Sequence, residues 1–213
     1  MIHIKIKNKS YGELNIFNNA ELVINEGEFI AIKGPSGSGK TTLINIIGML
    51  DQDYEGTYIF DGISLGDKYI KQYRKSFSYM FQTPFLIPYL NVYENIIMPL
   101  VNKGLKVTKP DVDNILKELN MLDKKYSNVN ILSGGEKTRV SLARAIISDG
   151  KILVIDEPTG NLDPTHADIV IKSISRLRNL YNLTVIMVTH SNDFDHYYDR
   201  IVKIERGKLV DVN

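Results

Sequence analysis

The chain has 213 residues, 43% hydrophobic and 24% charged, an ordinary balance for a globular protein long enough to bury a substantial core. A formal net charge of +1 without a polybasic run gives no field favouring nucleic acid, and the lack of cysteine excludes disulfides and thiolate chemistry. No apolar run approaches the roughly 18 residues of a membrane span, and MIHIKIKNKS lacks a signal peptide's apolar centre, so a soluble, cytoplasmic protein is expected.

No internal repeat or low-complexity linker divides the chain, so its organisation must come from element type. Residues 1 to 81 alternate mainly with period two, in IHIKIK, AELVINEGEFIAIKG, TYIFDG and FSYMF, which predicts a β-rich front. One helix interrupts it, from Thr41 to Met49. Residues 83 to 150 read as helical, in VYENIIMPLV, DVDNILKELNML and GEKTRVSLARAIIS, with Pro84, Pro88, Pro99 and Pro110 as punctuation. KILVIDE is a continuous apolar run of the kind that forms a buried parallel strand. An amphipathic helix, ADIVIKSISRLRNLY, leads to a second buried strand, LTVIMVTH. RIVKIERGKLVDV then predicts an antiparallel hairpin turned at Arg206 and Gly207. The fold class is therefore α/β, with a β-rich front, a helical insert and a parallel core.

Within the front, FIAIKGPSGSGKTTLINIIG runs strand, glycine-rich loop, helix, and contains the phosphate-loop spacing G-x-x-x-x-G-K-T at Gly34, Gly39, Lys40 and Thr41. Glycines let a backbone wrap closely around phosphates, and the N–H groups of residues 37 to 42 would converge there at a helix N-terminus. The predicted binding set is Ser36, Gly37, Ser38, Gly39, Lys40, Thr41 and Thr42, with Lys40 bridging β- and γ-phosphates and the Thr41 hydroxyl holding Mg²⁺. A glycine-rich turn that merely starts a helix is the plainer reading, which the flanking strand and the Lys-Thr pair disfavour. At the end of KILVIDE, Asp156 would ligand that Mg²⁺ through water, while Glu157, pointing elsewhere, can face the γ-phosphate and polarise an attacking water. An Asp-Glu pair at a strand end is often only a solvated turn; the phosphate loop changes that balance. His190 ends the neighbouring strand, where such a histidine is commonly structural, but α/β sheets place their ligands at that edge.

A second anion site is written in LSGGEKTRV, residues 132 to 140. Ser133, Gly134 and Gly135 open a helix with free backbone N–H groups far along the sequence from the first loop. With it the ordered set is complete, and the chain resembles the ATPase subunit of an ABC transporter: GPSGSGKTT, the glutamine of YMFQ (Gln82), LSGGE, ILVIDE, GNLD ending at Asp163, and His190. The resemblance implies the fold of a P-loop NTPase of the ABC type, a single domain over 1–213. Residues 1–82 and 151–213 would form a RecA-like parallel core with an antiparallel β subdomain, and residues 83–150 a helical subdomain. It also implies ATP and Mg²⁺ as cofactors. Glu157, His190 and Gln82 would be catalytic, with Thr41, Gln82 and Asp156 around the metal. Ser133, Gly134, Gly135, Glu136 and Asp163 would bind nucleotide across a head-to-tail homodimer, which accounts for two anion sites in one chain. Tyr11 matches the aromatic that stacks on adenine in that family, against the alternative of a buried strand-end tyrosine.

FQTPFLIPYLNVYENIIMPL and TGNLD resemble the macrolide-exporter and lipoprotein-releasing class (MacB/LolD type), which includes bacteriocin and antimicrobial-peptide exporters and a cell-division branch. The expected function is to drive a membrane permease in export, the alternative being ATP-dependent signalling across the membrane to cell-wall or division machinery. Two positions depart from the pattern: Glu136 replaces the commonest glutamine, and Thr138 stands where the class usually has glutamine before Arg139. Pro84 and Pro88 block a regular helix after Gln82, so some of Phe85, Leu86, Ile87, Tyr89 and Leu90 should stay exposed, the rest forming a small core. The resemblance implies that the permease docks there, keeping the protein peripheral on the inner face of the membrane.

Overall fold

The computed structural model describes residues 1–105 and 109–212. The front of the chain gives β1 (Ile2–Tyr11), β2 (Leu14–Ile24), β3 (Phe29–Lys33), α1 (Lys40–Ile47), β4 (Glu55–Phe60), β5 (Ile63–Ser64), α2 (Asp67–Tyr73) and β6 (Phe77–Met80). Three helices follow: α3 (Val92–Asn102), α4 (Lys109–Glu118) and α5 (Gly134–Ile147). The chain closes with β7 (Ile152–Asp156), α6 (Pro164–Tyr181), β8 (Thr184–Val188), β9 (Arg200–Glu205) and β10 (Lys208–Val212).

The strands form two sheets, ordered β2-β1-β4-β5 and β10-β9-β3-β8-β7-β6. The first is antiparallel throughout; the second is parallel from β6 to β9, with β10 added antiparallel at its edge. The continuous period-two front is thus two different things. β1, β2, β4 and β5 pair among themselves, whereas β3 and β6 leave to join the parallel sheet. β3 reads FIAIK and is buried at every position, because both faces of a parallel sheet are covered. Phe29 and Ala31 enter the core shared with α3 to α6, while Ile30 and Ile32 face the core shared with α1 and the antiparallel sheet. β7 and β8 divide their side chains between the same two cores.

Several element boundaries differ from the sequence reading. The first helix begins at Lys40 rather than Thr41 and ends at Ile47, with Met49 in a left-handed conformation just beyond it. α2 has no counterpart among the predicted elements. Pro99, expected as punctuation, lies inside α3, where the missing N–H removes one helical bond without ending a helix packed on its neighbours. The long helix starts three residues earlier than Ala167, with Pro164 in its first turn and Asp163 as its cap. Pro110, also expected as punctuation, opens α4 just after its first residue.

Candidate active site

Gly39 has φ of 98° and provides no side chain to cap α1, so the first N–H groups of that helix remain available to an anion. A Cβ there would lie 2.5 Å from Ile16 Cγ2 and 3.0 Å from Phe17 Cζ, so β2 presses directly on the loop. Lys40 is buried and folds back across the loop, its Nζ donating to the carbonyls of Gly34 and Pro35, each at 3.0 Å. Its ammonium lies 3.9 Å from Glu157 Oε1. Ser38 Oγ, inside the same loop, is buried without a partner among the described residues. Ser36 and Gly37 are exposed at its crest, and Thr42 is half-buried on the first turn of α1.

Thr41 faces Asp156 across the top of the parallel sheet and hydrogen-bonds to it. Burial, with the Glu157 charge beside it, pushes the Asp156 carboxyl above its ordinary range despite that bond and the Lys40 charge. Glu157 leaves the strand with φ of 42°, and its N–H donates to the Val188 carbonyl at 3.0 Å. This left-handed residue aims the two adjacent carboxylates differently. Glu157 Oε2 stands 3.4 Å from His190 Nδ1, and His190 is exposed two residues beyond β8. Gly160 is the narrow point: a Cβ there would be 3.5 Å from Glu157 Oε2 and 3.6 Å from Gln82 Nε2. Lys40, Thr41, Gln82, Asp156, Glu157 and His190 therefore converge at one edge of the sheet.

The second anion-binding start is built separately. Ser133 Oγ accepts from the Glu136 N–H at 3.3 Å, and Glu136 Oε2 accepts from the Ser133 N–H at 2.9 Å, a reciprocal cap on α5. The Glu136 carboxylate also meets Lys124, which with the Ser133 N–H holds it below its ordinary range. Its charge is thus turned back onto its own helix. Thr138 is buried and donates to the Gly134 carbonyl at 3.1 Å, a local bond that needs no glutamine at that position. Gly135 approaches α6 closely, since a Cβ would lie 3.2 Å from His166 Cδ2. Asp163 caps that helix, accepting from the N–H groups of Thr165 and His166 at 3.1 and 3.2 Å, and pairs with the His166 ring at 2.5 Å. Among the described residues, no hydrogen bond or ion pair links the Ser133 start to the phosphate loop.

Tyr11 is half-exposed at the β1–β2 turn, its hydroxyl donating to Asp51 Oδ2 at 3.1 Å. The apolar segment after Gln82 divides in two. Phe85 and Tyr89 are 67% and 81% exposed, whereas Leu86 packs on the core shared with the helices, and Ile87 and Leu90 are half-buried. Of the five apolar residues, Phe85 and Tyr89 are thus the exposed ones, and the other three pack at least partly inward. Two polar residues that the sequence reading left unassigned hold this loop. Asn95, fully buried, bonds to the backbone of Ile87 and Leu90, and Arg144 reaches the carbonyls of Pro84 and Phe85. A lone asparagine on the apolar face of VYENIIMPLV was the available signal for the first.

Among the described residues, no cluster of three or more His, Asp or Glu side chains could hold a metal, and no helix is long and apolar enough to cross a membrane. The ABC transporter family profile matches residues 17–160. The chain is 38% identical to the lipoprotein-releasing system ATP-binding protein LolD of Rickettsia prowazekii over 97% of this chain and 96% of that protein. It is 37% identical to the macrolide export ATP-binding/permease protein MacB of Campylobacter jejuni over 99% of this chain but 34% of that protein, so it spans about a third of the exporter's length. Among solved structures, it superposes with a TM-score of 0.85 and 32% identity on the ATP-binding cassette MJ0796, solved as a dimer in a post-hydrolysis state bound to ADP and Pi. That match covers 100% of this chain and 98% of the other.

Proposed function

This chain belongs to the ABC transporter family as an ATP-binding, ATP-hydrolysing cassette, and on that premise we propose that two copies close head to tail around two ATP molecules and drive a membrane permease. In this reading residues 1–82 and 151–213 are the catalytic core with its β subdomain, and residues 83–150 are the helical subdomain that carries the second anion site. Lys40 and the open N–H groups of α1 hold the phosphates of one nucleotide, while Ser133, Gly134 and Gly135 of the other copy cap it. The observation that carries this is the separation of two helix starts, each with free N–H groups, on one chain. Asp163, at the start of α6 beside Gly135, borders the same face.

The Thr41–Asp156 pair fits Mg²⁺. A hard cation takes few protein oxygens here and leaves the remainder of its shell to phosphates and water. The Asp156 carboxylate, unfavourably placed when charged, is stabilised by a cation against it. Gln82, whose amide lies across Gly160 from Glu157, would add a further oxygen in this reading. Bound there, the metal would neutralise charge developing on the transferred phosphate. Glu157 accepts the proton of the attacking water, and His190, against its far oxygen, orients it. The class of the LolD and MacB relatives supports export or extrusion of a peptide, bacteriocin, drug or lipoprotein as the work performed, with the cassette peripheral on the inner membrane face. Phe85 and Tyr89 beside Gln82 are the permease contact.

Glu157→Gln tests the core of this reading, since it keeps the side-chain shape and removes the basic carboxylate. The variant should bind ATP, elute as a dimer on gel filtration with ATP present, and hydrolyse at least about a hundredfold more slowly. A monomer with undiminished turnover would refute both the role of Glu157 and the closed dimer.

A further inference from the structure

Lys9 stands out within the antiparallel sheet: its side chain is 1% exposed, on a strand whose other buried positions are isoleucines. A buried ammonium persists only when paired and hydrogen-bonded. Lys9 Nζ donates to Asp51 Oδ1 at 3.1 Å and to the Asp53 carbonyl at 2.5 Å, and lies 2.9 Å from Asp51 Oδ2. It also sits 4.6 Å from the centroid of the Tyr11 ring. The Tyr11 hydroxyl donates to the same Asp51 carboxylate at 3.1 Å. Asp51 is itself fixed, its N–H bonded to the Asn45 carbonyl of α1 at 3.1 Å and its Oδ1 accepting from the Asp53 N–H at 3.0 Å. Burial alone would lower the Lys9 pKa, but the hydrogen bond and charge of Asp51 leave it above the ordinary lysine value. Burial likewise raises Asp51, but the bonds from Lys9, the Asp53 N–H and the Tyr11 hydroxyl together hold it below its ordinary value, so both groups stay charged at neutral pH. No step of phosphate binding or hydrolysis uses this buried charge.

The geometry points to Lys9 and Asp51 as positioning residues for the nucleotide base: a cation against one face of the Tyr11 ring and a carboxylate on its hydroxyl lock the ring, leaving the other face to adenine. This rests on the reading of Tyr11 as the adenine platform. A half-exposed tyrosine without these partners would lose rotamer freedom on binding, and a ring fixed beforehand has already lost it. Base–aromatic stacking holds any base with a π-face, so the lock acts on affinity rather than on base identity. Asp51 hangs from α1, whose first residues, Lys40 and Thr41, meet the phosphates. One helix of 8 residues, about 12 Å long, thereby fixes the spacing between the two ends of the nucleotide site.

The test measures Mg²⁺-dependent binding of ATP and of inorganic tripolyphosphate, which has phosphates and no base, by calorimetry. The variants are Tyr11→Ala, Tyr11→Phe and Lys9→Met. Tyr11→Ala should weaken ATP binding about tenfold or more. Tyr11→Phe and Lys9→Met, which keep the ring and remove its two restraints, should weaken it about three- to tenfold. All three should bind tripolyphosphate as the parent does, with KM for ATP raised. If only Tyr11→Ala loses ATP affinity, the lock is overturned and the adenine contact stands. Parent-like ATP binding by Tyr11→Ala would remove the adenine contact and the lock together. Equal weakening of both ligands by Tyr11→Phe and Lys9→Met would assign the cluster to the fold and overturn the proposal.

Discussion

The Asp156 carboxyl group occupies surroundings that disfavour its charge, mainly because it is buried and secondarily because Glu157 is its neighbour. Its folded pKa lies above the unfolded value, so ionisation opposes folding. That penalty is fully present above the raised value and vanishes below the ordinary carboxylate range. Asp156→Asn should therefore raise the Tm of the nucleotide-free protein at neutral pH, with the gap closing as pH falls through the raised pKa. The same variant should lose Mg²⁺-dependent hydrolysis; thermal melts between pH 4 and 8 and a steady-state phosphate assay check the two halves. A Tm gap independent of pH would show that the carboxylate is not the cause. At this scale the sequence was informative wherever chemistry demands a residue type at a fixed offset: Lys40 and Thr41 after Gly39, and Asp156 with Glu157 after an apolar strand. It was silent where backbone conformation matters. Nothing in ILVIDE announces that Glu157 turns left-handed and thereby separates the two carboxylates. Glu136 was grouped with the nucleotide-binding residues on resemblance, while the cap geometry shows its carboxylate committed to Ser133 and Lys124.

Elements were legible from periodicity to the extent that one face of each met water. α3 and α6 announced themselves, as did the β9–β10 hairpin turned at Arg206 and Gly207, both with positive φ. β3 and β6 could not be told from the antiparallel strands, since a short apolar run records burial but not the neighbour that provides it. The loop between Gln82 and α3 shows the same limit in side chains: composition predicts that some of its apolar residues stay exposed and others pack, but not which, and packing sends Leu86 inward and Phe85 and Tyr89 outward. Phe85 has φ of 44°, a conformation that aspartate tolerates better than an aromatic residue. Phe85→Asp should accordingly leave folding, ATP binding and dimerisation intact, because neither anion site nor the core is touched. At a permease interface the buried charge would cost at least about 2 kcal/mol, roughly thirtyfold in affinity. Co-purification with the permease from detergent-solubilised membranes measures this, and unchanged recovery would move the docking surface elsewhere. Leu86→Asp, by contrast, should lower Tm.

At the scale of the whole molecule, the question is whether the two helix starts serve the same nucleotide or different ones. α5 carries Ser133 on the helical segment, with its first glycines against Leu162 and His166 rather than the phosphate loop. One chain thus presents a phosphate loop and a cap as separate surfaces, and in the proposed head-to-tail pair each loop would meet the other chain's cap. The two arrangements separate cleanly in a mixing experiment. Lys40→Ala removes the loop's cation and leaves the cap; Ser133→Arg fills the cap with a large side chain and leaves the loop. Each homodimer then has two half-broken sites and should hydrolyse ATP at a small fraction of the parent rate. In a mixture, the heterodimer pairs the sound loop of one variant with the sound cap of the other, giving one intact site and one doubly broken one. Random association makes heterodimers about half of all dimers, each with one working site of two, so up to about a quarter of parental activity should return if sites act independently. Recovery near zero across all mixing ratios would mean that each chain caps its own nucleotide, or that both sites must be intact before either turns over. A second titration separates those outcomes: the Ser133→Arg variant mixed with parent keeps one intact site per heterodimer, and its activity would fall linearly with dilution for independent sites and more steeply for coupled ones.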